Sequence, residues 1–332
     1  LKTFRDKWGK WAAILAGFGI FFVCAAFQAG NTIGAGLAFA ESFNSPPIPW
    51  IITITVLAAS LLFFKSFYKI LEKVMMVMVG LMMVSFIFTL VVAQPDFSQV
   101  LIGLIPTIPP QSVILIIALV ASSFSIAGAF YQSYLVQERG WKREESADVK
   151  RESFTGIIVL GIISATILIS SGAILHPQGV TVVAATDMGR ALEPLYGNWA
   201  TTIFMLGLFG ASFSSLIGNA TIGGTLFADA LSLGRDLSSK PVRLLILSVI
   251  FVGAVVAITF GRLPLELIVF AQGITIFAVP FIGFGLLLIA NNKSIMGDLV
   301  NKTPAKIAGV IGLIVLILLA GSNFYNLFLT GN

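Results

Sequence analysis

Long runs of apolar residues, separated by short polar breaks, recur along the whole chain. A transmembrane α-helix needs about 20 mostly apolar residues, whereas a buried helix in a soluble core would explain only one or two such runs. The pattern therefore predicts nine membrane-spanning helices. Their approximate limits are 12–40, 48–66, 74–93, 112–137, 154–175, 199–231, 242–260, 265–290 and 306–329.

The amino-acid composition points in the same direction. Hydrophobic residues make up 57% of the chain and charged residues 11%, with a mean hydropathy of +0.99. A soluble domain carries roughly 25% charged residues, so this chain has too few to cover a water-facing surface. We predict an all-α, polytopic membrane protein surrounded by the lipid bilayer.

The basic residues predict the orientation of the chain. With the N-terminus in the cytoplasm and nine spans, all but Arg190 and Arg262 of the 20 Lys and Arg residues fall in cytoplasmic stretches. This is the bias that the positive-inside rule describes. The net charge of +5 does not indicate a nucleic-acid partner, because the basic residues lie between spans and not on one face. We expect a multi-pass cell-membrane protein with a cytoplasmic N-terminus and an extracytoplasmic C-terminus.

The start of the chain and its two rarest residues add little chemistry. No signal peptide follows Leu1, and we expect the true N-terminus to lie upstream of it. The one cysteine, Cys24, excludes internal disulfides and a cysteine metal cluster. The one histidine, His176, lies beside Pro177 in a polar loop, where we expect it to be solvated.

No combination of residues is typical of an enzyme. Paired buried carboxylates, histidine clusters, a nucleophile elbow and phosphate-binding loops are all absent from the sequence. All 15 acidic residues lie in loops or near the ends of apolar segments, so no span carries a counter-charge for a cation. A membrane protein of this kind, with small-residue interruptions inside its spans, is most often a transporter or a channel.

The fourth apolar segment is the most informative one. Between positions 121 and 129 nearly all residues are small or carry a hydroxyl group, the exceptions being Phe124 and Ile126. Small residues at this density are typical of close-packed membrane helices. They are also typical of a helix interrupted inside the bilayer, where free carbonyls and hydroxyls face an ion, and Gly128 would favour such unwinding. Both interpretations stay open on the sequence alone.

The sixth and eighth segments offer further polar positions. The sixth is rich in Gly and Ser, most of which we assign to helix packing, while Ser214, Ser215 and Asn219 are candidates for a cavity wall. Gln272 stands in the eighth segment, eight residues before Pro280. An amide in hydrocarbon needs partners, so Gln272 can form an inter-helix bond or contact a substrate.

At these residues the chain resembles the natural resistance-associated macrophage protein (NRAMP) family of divalent-metal transporters. The matching stretches are 271–273, 279–280, 295–301, 214–219, and 133 with 135–137. The resemblance covers essentially the whole chain, and the stretch 295–301 is fairly specific. It implies an eleven-helix protein with a LeuT-type inverted repeat. On that scheme residues 1–332 form a single transport domain that holds the third to eleventh helices and lacks the first two.

The chain departs from the family at positions that carry the family's chemistry. Family members have a Met-Pro-His motif in a broken sixth helix, whose thioether touches the metal, whereas residues 125–127 here read Ser-Ile-Ala. The family's proton-handling Asp and Glu of the third helix correspond to Gln28 and Asn31. A second family His on the sixth helix corresponds to Gln132.

These departures give the resemblance a direction. A thioether favours manganese, iron and later transition metals over magnesium, so its loss leaves a harder site. Mg²⁺ prefers oxygen ligands and keeps several waters, which a site lined by small side chains accommodates. The chain is therefore similar to the NRAMP-related magnesium transporters, which implies uptake of Mg²⁺, and also of Mn²⁺, by alternating access without proton coupling.

The resemblance also implies roles for three residues. Ser122 would offer a backbone carbonyl, Ser125 a wall for the hydrated ion, and Gln272 an outer contact. The charged ligand is expected to be an Asp on the first family helix, so the missing helices are required for the site. The transported cation is the substrate, and we expect no resident cofactor.

Two other functions stay open. A proton-coupled Mn²⁺ or Fe²⁺ transporter of the ordinary NRAMP type would need titratable groups on the third and sixth family helices, which the alignment does not supply. A carrier of amino acids or other organic solutes on the same scaffold fits the hydroxyl-rich spans, but the match in the eighth segment argues against it.

Overall fold

A computed structural model describes residues 1–63, 65–105, 107, 112–124, 126–182, 184–260, 273 and 275–329. These residues form helices joined by turns and loops, with no β-strand among them, which confirms the predicted all-α class. The helices are α1 (Lys2–Ser42), α2 (Pro47–Leu61), α3 (Lys65–Ala93), α4 (Phe97–Ile102), α5 (Val113–Ser123), α6 (Ile126–Glu138), α7 (Ser146–Leu175), α8 (Ala185–Gly189), α9 (Glu193–Tyr196), α10 (Ala200–Ala230), α11 (Lys240–Phe260), α12 (Val279–Ala290), α13 (Lys293–Met296) and α14 (Thr303–Phe324).

Helix length and hydropathy agree with a multi-pass membrane protein. Among the described residues, seven helical stretches are long and apolar enough to cross a bilayer. An eighth is added if the pair Thr275–Ala290 and Lys293–Leu299, bent by 66°, counts as one span. The 15 residues of α2 give a length of about 22 Å, which is less than the ~30 Å hydrocarbon core. The assignment of nine spans and one domain stays a prediction.

The long helix α1 is bent close to its start. Gly9 has φ 84° and ψ 174°, which is not a helical conformation, and helical geometry continues on both sides of it. Residues with a side chain rarely adopt this conformation, so glycine is required here by the backbone alone. The predicted first span, 12–40, lies entirely on the long side of this bend.

Two compact units divide the chain, and three of the four boundaries fall inside α1, α6 and α10. Unit 1 comprises Leu1–Gly30, Pro109–Phe130 and Ile217–Asn332. Unit 2 comprises Asn31–Ile108 and Tyr131–Leu216.

Glycines bring the helices of unit 1 close together. A Cβ at Gly224 of α10 would lie 2.5 Å from the backbone N of Ile246 in α11. A Cβ at Gly223 would lie 2.7 Å from the Cβ of Cys24 in α1. Membrane helices approach this closely only where one of them contributes no side chain, so these glycines set the spacing of α1, α10 and α11.

Charged groups join α1 to the end of α10 in the same unit. The Arg5 guanidinium donates to the carbonyl oxygens of Asp229 (2.5 Å) and Ala230 (3.2 Å). The buried Asp229 carboxylate in turn accepts from Nε of Arg235 at 3.2 Å. A cation at a helix C-terminus satisfies carbonyls that have no partner within the helix and opposes the negative end of the helix dipole.

In unit 2 the long loop 176–198 is packed onto the helices. Its central residues belong to the same buried apolar cluster as residues of α3 and α10. The Glu41 carboxylate accepts from the backbone N–H of Thr186 at 2.8 Å, and the Tyr196 hydroxyl lies 2.9 Å from the Ser85 hydroxyl. The loop is therefore a structural part of the unit as well as a connection.

The glycines in the first half of α10 also serve packing, as the sequence favoured. A Cβ at Gly207 would lie 2.5 Å from the Cβ of Met82 in α3, and a Cβ at Gly210 would lie 3.1 Å from the Cβ of Met78. α3 thus rests directly on the backbone of α10.

We expect the substitution Gly224→Ala to reduce the free energy of unfolding by about 1–3 kcal/mol, because the new methyl group would overlap the backbone of α11. Thermal unfolding of the purified protein in detergent measures the change. Gly218→Ala is the matched control, since a Cβ at Gly218 in the same helix has no described heavy atom within 4 Å. Equal melting temperatures for the two variants would contradict the assigned contact.

Candidate functional site

The fourth apolar segment is interrupted in the structure. α5 ends at Ser123, Phe124 adopts φ −88° and ψ 73°, and α6 begins at Ile126. The predicted break is therefore confirmed. The expectation that Gly128 provides it is wrong, because Gly128 lies inside α6, and the non-helical conformation is that of Phe124.

The break leaves oxygen atoms exposed at the end of α5. The last carbonyls of a helix have no following N–H within the helix, and among the described residues the Ala121 carbonyl accepts from the N–H of Phe124 at 3.3 Å. The Ser122 and Ser123 hydroxyls both donate to the Leu119 carbonyl, at 2.8 and 3.0 Å. Each hydroxyl oxygen keeps its lone pairs for another partner. The predicted site residue Ser125 lies outside the described residues.

A short part of the eighth apolar segment is described just ahead of α12. Gly273 is buried, and the following residues Thr275–Phe277 form a single 3₁₀ turn whose Thr275 is fully buried. Pro280 stands in the first turn of α12, where its missing N–H would have had no helical partner. The predicted site residue Gln272 lies outside the described residues.

These two segments meet within unit 1. The turn Thr275–Phe277 contacts α5, the helix that carries Ser122, and α14 contacts both of them. The part of the chain that the structure describes contains no group of three His, Cys, Asp or Glu side chains able to hold a metal ion. The possible metal ligands on these segments are carbonyl and hydroxyl oxygens, which suit a hard cation.

Two polar residues at this place were not singled out from the sequence. Thr275 is one, and the other is Asn323 near the end of α14, which is 2% exposed. The Asn323 side-chain amide donates to the Gly273 carbonyl at 3.1 Å. Asn323 could have been identified from the sequence, because it is an amide in an apolar segment, which is the same feature that made Gln272 a candidate.

A second polar position in unit 1 is Gln28, which the resemblance aligned with an acidic residue. Gln28 of α1 is fully buried, and within the described part of the chain neither atom of its amide has a hydrogen-bond partner. Its side chain is pressed against Gly253 of α11, so closely that a Cβ there would overlap the Gln28 Cγ. α11 therefore presents no side chain to Gln28 at this point.

Comparison with known proteins gives a consistent result. The family model for natural resistance-associated macrophage protein-like (Nramp) proteins matches residues 1–326. The chain is 26% identical to the divalent metal cation transporter MntH of Caldanaerobacter subterraneus subsp. tengcongensis, over 97% of this chain and 76% of that protein. It is 28% identical to MntH of Clostridium acetobutylicum, over 74% of this chain and 57% of that protein.

Solved structures agree on the fold. A mutant of the manganese transporter of Eremococcus coleocola matches with a TM-score of 0.76 and 19% identity, over 99% of this chain and 75% of that one. The same transporter in complex with an aromatic bis-isothiourea substituted compound also gives 0.76, with 20% identity and the same coverage. The LeuT-type fold expected from the resemblance is thereby confirmed. The chain belongs to the natural resistance-associated macrophage protein-like family of membrane transporters.

Proposed function

We propose that this chain is the transport domain of a divalent metal cation transporter that carries Mg²⁺, and Mn²⁺ beside it, by alternating access without proton coupling. The observation that carries the proposal is the interruption between Ser123 and Ile126, where the available ligands are oxygens. The names of the relatives, a divalent metal cation transporter and a manganese transporter, support the class of substrate.

The absence of soft ligands supports Mg²⁺ as the principal ion. Residues 113–138 and 261–290 contain no Met, Cys or His. The one cysteine, Cys24, is buried against Gly223 in the packing of α1 on α10. Mg²⁺ binds through oxygen ligands and retains water, and the carbonyls of Ser122 and Ser123 fit that requirement better than they fit a transition metal.

The lack of titratable groups in the packed helices of unit 1 supports transport without protons. Between Asp6 and Glu41, α1 has no carboxyl or imidazole group, and α10 has only Asp229, at its last turn. α11 has no acidic residue, and its basic residues stand in its first turn. Gln28 thus has no ionisable neighbour on these helices with which to pass a proton.

The membrane potential can supply the driving force instead. Moving one charge through 100 mV is worth about 2.3 kcal/mol, so a divalent cation gains about 4.6 kcal/mol. At 1.4 kcal/mol for each factor of ten, this supports a concentration ratio of roughly three powers of ten. The cytoplasmic N-terminus and extracytoplasmic C-terminus that the basic residues predict complete the proposed arrangement in the cell membrane.

We expect the full-length protein in liposomes, with a negative potential inside, to take up Mg²⁺ without acidifying the lumen. Ion-sensitive and pH-sensitive dyes inside the vesicles measure the two quantities together, and empty liposomes are the control. The second candidate is a proton-coupled manganese transporter, and the manganese transporter of Eremococcus coleocola favours its choice of ion. Uptake of Mn²⁺ with acidification and no uptake of Mg²⁺ would establish that candidate and refute ours.

We expect Ser125→Met to raise the ratio of Mn²⁺ to Mg²⁺ transport by about tenfold, because it adds a soft ligand that Mg²⁺ does not use. Competition between the two ions in the liposome assay measures the ratio. Ser164→Met, on an exposed position of α7, is the control for a methionine added elsewhere. An unchanged ratio would place position 125 outside the ion's path.

A further inference from the structure

Asn323 makes the one described hydrogen bond that joins α14 to the eighth segment just ahead of α12. Its side chain is 2% exposed, in the last turn of an otherwise apolar helix. Its Nδ2 donates to the Gly273 carbonyl at 3.1 Å, fifty positions away in the chain. An amide in hydrocarbon is costly unless it is hydrogen-bonded, so apolar packing alone gives no reason for Asn323.

The carbonyl that Asn323 holds lies at a sensitive point. Gly273 directly follows Gln272 and comes just before the turn Thr275–Phe277, which packs on α5. Gly273 is buried, yet a Cβ on it would have no described heavy atom within 4 Å. Its carbonyl is thus tied to α14.

The same helix also lies against the interrupted fourth segment. A Cβ at Gly312 of α14 would lie 3.9 Å from the ring of Phe124, the residue at which α5 ends. α14 thus touches both segments of the candidate site. A helix in contact with both can fix the position of each.

We propose that Asn323 is a positioning residue of the transport site: by holding the Gly273 carbonyl it fixes the chain just ahead of the turn Thr275–Phe277, which packs on α5. The inference rests on the proposed function, because it assigns Asn323 a role in cation affinity. It adds a residue from the final helix to a site that the sequence placed in the fourth and eighth segments alone.

Asn326 provides a matched control on the same stretch of chain. Its Nδ2 donates to the Ser322 carbonyl at 2.8 Å, which is a bond within its own helical end. Removing it should alter the local turn and leave the eighth segment in place. The two asparagines are three positions apart and have the same side chain. Comparing them distinguishes the effect of a hydrogen bond to another segment from the effect of a bond within the same helical end.

The test measures Mg²⁺ uptake by the full-length protein in liposomes. We expect Asn323→Leu to raise KM roughly 3- to 10-fold, the effect of losing one hydrogen bond, with kcat changed less than about twofold. Asn326→Leu should leave KM unchanged. Asn323→Ala is the second variant, in case the leucine does not fold. An unchanged KM in a folded Asn323 variant, or an equal rise in Asn326→Leu, would overturn the proposal.

A double-substitution cycle with Gln272→Ala distinguishes positioning from general loss of structure. If Asn323 acts through the Gln272 segment, Asn323→Leu should raise KM much less in the Gln272→Ala background than in the unmodified protein. Independent, multiplying effects would overturn the proposal, as would an absence of any effect of Gln272→Ala.

Vesicles with the unmodified protein are also assayed for Mn²⁺ uptake. This measurement tests the proposed choice of ion independently of the Asn323 variants. Transport of Mn²⁺ alone would refute the choice of ion, and the Asn323 variants would then be judged by their KM for Mn²⁺. Transport of neither ion would refute both proposals.

Discussion

Within the hydrocarbon core of a bilayer no water is present to donate a hydrogen bond to a free backbone carbonyl. The structure of this protein depends on which groups bind such carbonyls. The break between Ser123 and Ile126 frees carbonyls at the end of α5. Just ahead of α12, the Gly273 carbonyl accepts a hydrogen bond from the Asn323 side-chain amide. Oxygens that remain at the end of α5 are available to a cation, and the proposed function depends on them.

Such a site requires rigid surroundings, and glycines supply them. At Gly224 and Gly223 the backbone of α10 lies directly against α11 and α1, and at Gly207 and Gly210 it lies against α3. Lipid tails are as apolar as the side chains, so close contact and buried hydrogen bonds hold these helices together, with little help from hydrophobic burial.

The energetics of transport follow from the same packing. Gln28 is buried where a charged group would need a partner, and Gly253 fills the facing position with backbone alone. A proton relay would need ionisable groups in that space, and the close approach of α1 and α11 leaves no room for another side chain at this point. The proposal of an uncoupled carrier therefore rests on contacts as well as on residue identities.

Membership of a membrane class and the helical architecture were readable from the sequence, while the small residues of the fourth segment allowed either a break or close packing. These features depend on local properties of the chain: the length of apolar runs, the placement of Lys and Arg, and the run of small residues around Ser122. Local properties can be seen in the sequence without knowing the fold. The break at Phe124 lies within the stretch 121–129 that the sequence singled out, whereas Gly128, which has the freedom to unwind, lies within the regular turns of α6.

The tertiary structure alone decided which distant residues share a place. It brought the turn at Thr275 to the end of α5, and it gave the Asn323 amide a carbonyl fifty positions away. It also showed that the small residues of α10 meet other helices at specific glycines. Such contacts depend on the path of the backbone in three dimensions. The hydropathy of one helix does not indicate which residues of another helix pack against it.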